Sequence, residues 1–78
     1  MKNKKLALIV KAFEAILLMC GDDCIDSLEY IEDSKAQDEY IYILFRSGHA
    51  ERILATGRET LPILNDIMDL TYRGKRNE

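Results

Sequence analysis

Apolar positions between residues 4 and 20 recur at spacings of three and four: Leu6, Ile9, Val10, Phe13, Ile16, Leu17 and Cys20. An α-helix turns once per 3.6 residues, so this spacing predicts an amphipathic helix. Leu8, Leu18 and Met19 widen the apolar arc. An arc this wide predicts burial on more than one side, or contact with another chain. Gly21 follows the last periodic residue and suits a C-cap, where a left-handed backbone is cheap only without a Cβ.

Residues 24–33 (CIDSLEYIED) fit two patterns. Ile25, Leu28 and Ile31 would share one side of a short helix, whereas strand alternation leaves neither face cleanly apolar. We read the segment as a strand, with the polar run Ser34–Asp38 as a hairpin loop. Residues 39–46 (EYIYILFR) are the clearest strand, because β-branched and aromatic residues dominate. Ile41, Ile43 and Phe45 line one face and Tyr40, Tyr42 and Leu44 the other, the pattern of a central strand. Arg46-Ser47-Gly48-His49 reads as a turn, and residues 50–57 as the return strand. There Ile53 and Ala55 lie opposite Arg52, Leu54 and Thr56.

Thr60 as N-cap and Pro62 in the first turn open a last helix, from about 61 to 72. Its expected apolar face is Leu61, Leu64, Ile67, Met68 and Tyr72, broadened by Ile63 and Leu70. Gly74 reads as the stop, and residues 1–3 and 74–78 as frayed tails. The whole predicts one small α+β domain over residues 1–78. A three-stranded antiparallel meander is flanked in sequence by two helices, both packed on one face of the sheet (α-β-β-β-α).

Size narrows the functions on offer. A chain of 78 residues has no room for separate cofactor and substrate domains, and one this small buries only about 60–65% of its unfolded surface. The wide first helix and the two-faced middle strand therefore suggest that a partner or a second copy adds burial. Residues 6–19 resemble a secretion signal only superficially, since Lys11 and Glu14 interrupt the apolar run and no clean cleavage site follows. We read a cytoplasmic protein with no membrane-spanning segment, its two cysteines kept as thiols.

The net charge of −3 hides a strong asymmetry. Lys2, Lys4, Lys5 and Lys11 make the first eleven residues basic, residues 12–39 carry nine acids against Lys35 alone, and the remainder is nearly balanced. Such an acidic block suits a solvated face or a docking surface for a basic partner, where it would speed association and bring salt dependence.

Catalytic constellations are not evident. Cys20 and Cys24 with His49 offer one short-spaced ligand pair, where a structural zinc site normally has two. Asp22 and Asp23 beside the thiols disfavour the thiolate, and the expected setting of both cysteines is semi-buried at a helix end. His49 reads as an exposed turn residue, its sharper role being a base next to Glu51. No glycine-rich phosphate loop or calcium-loop pattern is present. We expect no enzyme activity, no cofactor and no metal. Lys2, Lys4 and Lys5 at one end, and Arg73, Lys75 and Arg76 at the other, would form a phosphate-binding patch only if the termini meet.

The helix–three strands–helix order resembles the layout of a double-stranded-RNA-binding domain. That family places a Lys-rich segment at the start of its last helix. Here the stretch is Gly57-Arg58-Glu59-Thr60-Leu61-Pro62, so its RNA-contacting residues do not carry over. In size and acidity the chain is similar in general character to phage-encoded inhibitors such as anti-CRISPR proteins. The reading is a non-enzymatic interaction protein acting by stoichiometric binding, in its most concrete form an inhibitor in the basic nucleic-acid groove of its target. The contact surface is Asp26, Glu29, Tyr30, Glu32, Asp33, Asp38, Glu39, Tyr40 and Tyr42. The alternatives are a nucleic-acid-binding module using the basic termini, or a homodimeric assembly protein.

Overall fold

The computed structural model describes residues 3–20 and 25–76, in the predicted order. Helix α1 spans Lys4–Met19, strands β1, β2 and β3 span Ile25–Asp33, Asp38–Phe45 and Ala50–Leu54, and helix α2 spans Thr60–Arg76. The strands form an antiparallel sheet in the order β1-β2-β3, with β2 central. Residues 24–33 are thus a strand from Ile25 onward; Cys24 and the Gly21 cap lie outside the described residues.

Register explains the core. Leu28 lies opposite Ile43 and Tyr30 opposite Ile41, while Ile41 also pairs with Ile53. These side chains share one face of the sheet, since strand side chains alternate. Onto that face α1 lays Leu6, Val10 and Leu17, and α2 lays Ile63 and Ile67. Fully buried Ile25, Leu28, Ile41 and Ile43 come from the strands, so the core is a sheet face roofed by two helix stripes.

Both helices depart from the predicted faces. Ile16 and Cys20 are exposed, because Leu6, Val10, Phe13 and Leu17 form the stripe that turns inward. Cys20 caps α1 in right-handed geometry, its N–H bonded to the Ile16 carbonyl at 3.0 Å. In α2, Leu61, Met68 and Tyr72 are exposed, and Thr71 is buried instead. The Thr71 hydroxyl donates to the Ile67 carbonyl at 2.8 Å, so its one polar atom needs no water. The helix also continues through Gly74 to Arg76 rather than stopping.

Three local devices set the geometry. Asn3 caps α1, its Oδ1 accepting the Leu6 N–H at 3.0 Å. Gly57 at φ 71° makes the left-handed turn between β3 and α2. Beyond β3, the Thr56 hydroxyl accepts the Glu39 N–H at 2.7 Å and donates to Asp38 Oδ1 at 3.1 Å, which prolongs the pairing with β2.

The outer edge of β1 is closed by α1. Glu14 Oε2 accepts the Leu28 N–H at 2.8 Å and Lys11 Nζ donates to the Leu28 carbonyl at 3.1 Å. Both backbone groups of one outward-facing peptide position are met by one helix turn, which removes a template for strand addition. Across the sheet, Arg58 donates to the Leu54 carbonyl at 3.3 Å and is held by Asp66 at 2.8 Å.

Replacing the carboxylate should reveal the first of these closures. Glu14→Ala is expected to cost about 1–3 kcal/mol, the range for losing a hydrogen bond to a charged acceptor, and Glu14→Gln less. Urea unfolding measures both, and equal stability of wild type and Glu14→Ala would mean that the closure contributes nothing.

Candidate functional site

The sheet sorts the nine predicted contact residues onto two faces. Tyr30, Glu32 and Glu39 share the helix-facing side with Leu28 and Ile41. Glu29, Asp33, Asp38, Tyr40 and Tyr42 belong to the opposite, open side, and Asp26 sits exposed where the register shifts between Ile25 and Ser27.

On the helix side, Tyr30 joins three elements. Its phenol oxygen accepts the Asn3 N–H at 3.0 Å and donates to Glu39 Oε1 at 2.5 Å. Burial pushes the Tyr30 phenol above its ordinary value, and the bond to Glu39 adds to the shift. Asn3, Lys4, Glu32, Asp38 and Glu39 line an open depression at this end. Tyr30 and Glu39 are thereby part of the scaffold that fixes the start of α1.

Among the described residues, no helix covers the open side. Tyr40, Tyr42 and Leu44 of β2 lie between Ile31 of β1 and Arg52 and Leu54 of β3. Ile31, Tyr42 and Leu54 are each about 40–50% exposed, as apolar groups on the wet face of a three-stranded sheet must be. The Arg52 guanidinium stands over the Tyr40 ring, 4.6 Å from its centroid, in a cation–π contact. Ile31, Asp33, Tyr40, Tyr42 and Arg52 surround a shallow depression of about 430 Å³. Sequence alternation already placed Leu54 and Arg52 on one side of β3, but nothing there tied them to Tyr40 and Tyr42; the ladder does.

Acids crowd one end of the sheet, on both of its faces. Asp33 lies directly opposite Asp38, and Glu32 opposite Glu39, so two successive ladder pairs carry like charges. Directly opposed like charges destabilise a sheet. Local donors offset part of that cost: Asp33 Oδ1 accepts the N–H groups of Lys35 and Ala36 at 3.1 and 3.2 Å, and Asp38 accepts the Thr56 hydroxyl. Glu29 instead turns around the β1 edge to Lys11, at 2.5 Å. That hydrogen bond is the main cause of the raised Lys11 pKa, against a smaller opposing effect of burial.

The remaining candidates are dispersed. His49 is exposed in its turn, stacked on Phe45 with centroids 5.7 Å apart, and its Nε2 lies 2.5 Å from Glu51 Oε2. Cys20 is exposed rather than semi-buried, and Cys24 lies outside the described residues. Among the described residues, no three His, Cys, Asp or Glu side chains are grouped to hold a metal ion, and no helix is long and apolar enough to cross a membrane. Of the basic segments, Lys2 lies outside the described residues, and the backbone of α2 carries residues 73–76 away from Lys4 and Lys5. Asn3 at the start of α1 contacts Tyr30, and α2 starts beyond Ala55, which bonds to Glu39 at the same end of the sheet. Both helices therefore begin at one end, and α2 finishes at the other.

Tyr30 can be tested by pH. Its folded pKa is raised, so its contribution to stability is complete below the ordinary phenol value of 10.0 and is lost as pH rises through the higher folded value. Tyr30→Phe is expected to lose about 1 kcal/mol near pH 7 and to fall less steeply than wild type above pH 10. Urea unfolding across that range reads both effects, and parallel curves would remove the assignment.

Comparison with known protein families, with curated proteins and with solved structures returns no match to this chain.

Proposed function

We propose that this chain is a non-enzymatic binding module that acts stoichiometrically on a basic protein through the open face of its sheet. The carrying observation is the pairing of uncovered Tyr42, Ile31 and Leu54 with the carboxylates of Asp33 and Asp38 beside them. Tyrosine gives large contact area with little entropy to lose, and peripheral acids steer a basic partner and raise the association rate. The opposed pair Asp33–Asp38 supports the same reading. A ladder shaped by stability alone would avoid setting these like charges face to face.

This reading keeps Asp33, Asp38, Tyr40 and Tyr42 as contact residues and adds Ile31 and Leu54. Tyr30 and Glu39 act beneath it by holding the scaffold. In its most concrete form the partner is a protein whose basic groove grips nucleic acid, and the carboxylate row competes for that groove as phosphates do. The general resemblance to small acidic phage inhibitors of the anti-CRISPR type fits this form.

Capture from a host lysate, eluted by a salt gradient, should release one basic protein at moderate salt. Tyr42→Ala is expected to weaken that complex about tenfold or more, the loss typical of an interface tyrosine. Asp33→Asn keeps the loop acceptor but removes a charge. It should weaken capture and raise stability by up to about 1 kcal/mol as the opposed pair is relieved. Capture that ignores salt, Tyr42→Ala and Asp33→Asn alike would refute the proposal.

A further inference from the structure

The larger uncovered apolar surface is on the other side of the molecule. Leu8, Ile16 and Met19 of α1 and Leu61, Met68 and Tyr72 of α2 are all exposed, from 52% at Ile16 to 85% at Met19. At 100° per residue, Leu8 and Met19 point opposite the buried stripe of Leu6, Val10 and Leu17, and Ile16 lies to one side of them. Leu61, Met68 and Tyr72 follow one stripe of α2, away from Asp66, which is tied to Arg58 at the outer edge of the sheet. That leaves the α2 stripe on the flank nearer α1. Lys11 and Glu14 hold the other flank of α1 against β1, so Ile16 faces the α2 side. The two stripes thus lie on the same outward side of the molecule, one on each helix, as a helical layer.

We propose that this helical layer is the interface for a second copy of the chain. The argument from area comes first. The six side chains expose roughly 700 Å² per copy, more than the largest apolar patch of a typical monomer and near the ~800 Å² per partner of a standard stable interface. The open sheet face offers far less, with three large apolar residues at 38–48% exposure.

Charge supplies the second argument. The two helices run in the same direction, with Lys4 and Lys5 in the first turn of α1 and Glu59 exposed just before the start of α2. A two-fold axis parallel to the helices sets α1 of each copy over α2 of the other, with like ends together. The basic start of each α1 then meets Glu59 ahead of the partner's α2, and the contact repeats by symmetry. Side-chain size agrees, for the exposed residues Ala12 and Ala15 midway along α1 are small and Met68 of a facing α2 is long and flexible. An anionic membrane suits the layer less well, since Asp69 lies beside it.

Sedimentation equilibrium of the full chain over a concentration series tests this. The expected mass moves from 9.0 kDa at low concentration to twice that by about 100 µM, a range set by ordinary affinity arithmetic. Leu8→Glu and Met68→Glu, each with wild-type circular dichroism, are expected to stay at 9.0 kDa throughout. They lie on different helices, so the pair probes both halves of the contact. Tyr42→Glu, on the open sheet face, is expected to dimerise as wild type does. A wild type that stays monomeric at 100 µM would overturn the proposal, whether or not it binds anionic vesicles. So would a dimer that survives both helix variants, or one that only Tyr42→Glu dissociates. Capture of a basic partner is a separate readout, so this proposal and the open-face reading can fail independently.

Discussion

Everything else in this fold depends on how α1 grips the edge of β1. Lys11 and Glu14 take the carbonyl and the N–H of Leu28, one helix turn serving one exposed peptide position. That grip fixes the roll of the helix about its own axis. With Lys11 and Glu14 directed at the strand edge, Leu6, Val10, Phe13 and Leu17 must face the sheet, and Leu8, Ala12, Ala15 and Met19 must face away. A rotation of one residue would trade Leu17 for Ile16 in the core and would strand both polar groups of Leu28. The grip also steers recognition away from strand addition on that side, leaving the broad faces of the molecule for partners.

The second constraint is that two helices cover only one face of three strands. β2 is apolar on both sides, and its inner residues Ile41 and Ile43 are completely buried. Its outer residues Tyr40, Tyr42 and Leu44 have only neighbouring strands for company. Tyrosine suits such a place because its ring packs laterally while its hydroxyl stays wet. Arg52 over Tyr40 is the same solution with a cation. The open face is therefore amphipathic by composition, and the aspartates at its end give it a sign.

The strand pattern was legible in the sequence because a period of two has few competing solutions. Residues 39–46 announced a central two-faced strand, and the structure places Ile41, Ile43 and Phe45 inside, as alternation required. Residues 24–33 were ambiguous because Leu28 and Tyr30 face the core while Ile31 faces out, so apolar residues fall on both sides of β1. The helices were harder. Each carries two apolar arcs, and hydropathy alone does not say which arc the sheet takes. In α2 the deciding residue is Thr71, which looks polar in sequence and is buried because its hydroxyl returns to the Ile67 carbonyl. In α1 the deciding residues are charged, and a side chain reaching a strand edge seventeen residues later leaves no periodic signal. The division of the acidic segment between two faces was equally hidden, since Glu39 and Asp38 are adjacent in sequence and opposite in direction.

The two unused surfaces differ in kind, and that difference bears on what each is for. A face that carries opposed carboxylates, a cation over an aromatic ring and half-exposed tyrosines suits a reversible contact, because its charges stay solvated when the partner leaves. A layer with Leu8, Leu61 and Met19 more than 70% exposed suits a lasting one, because water contact there is unfavourable at all times. Pairing two helical layers would turn each chain into half of a sheet–helix–helix–sheet sandwich and deepen a core that a chain of this length builds only thinly. The open faces would then point outward in opposite directions. Two basic partners, or two segments of one, would be held at once, and binding at the second site would become an intramolecular event. Stability and avidity would then come from the same contact.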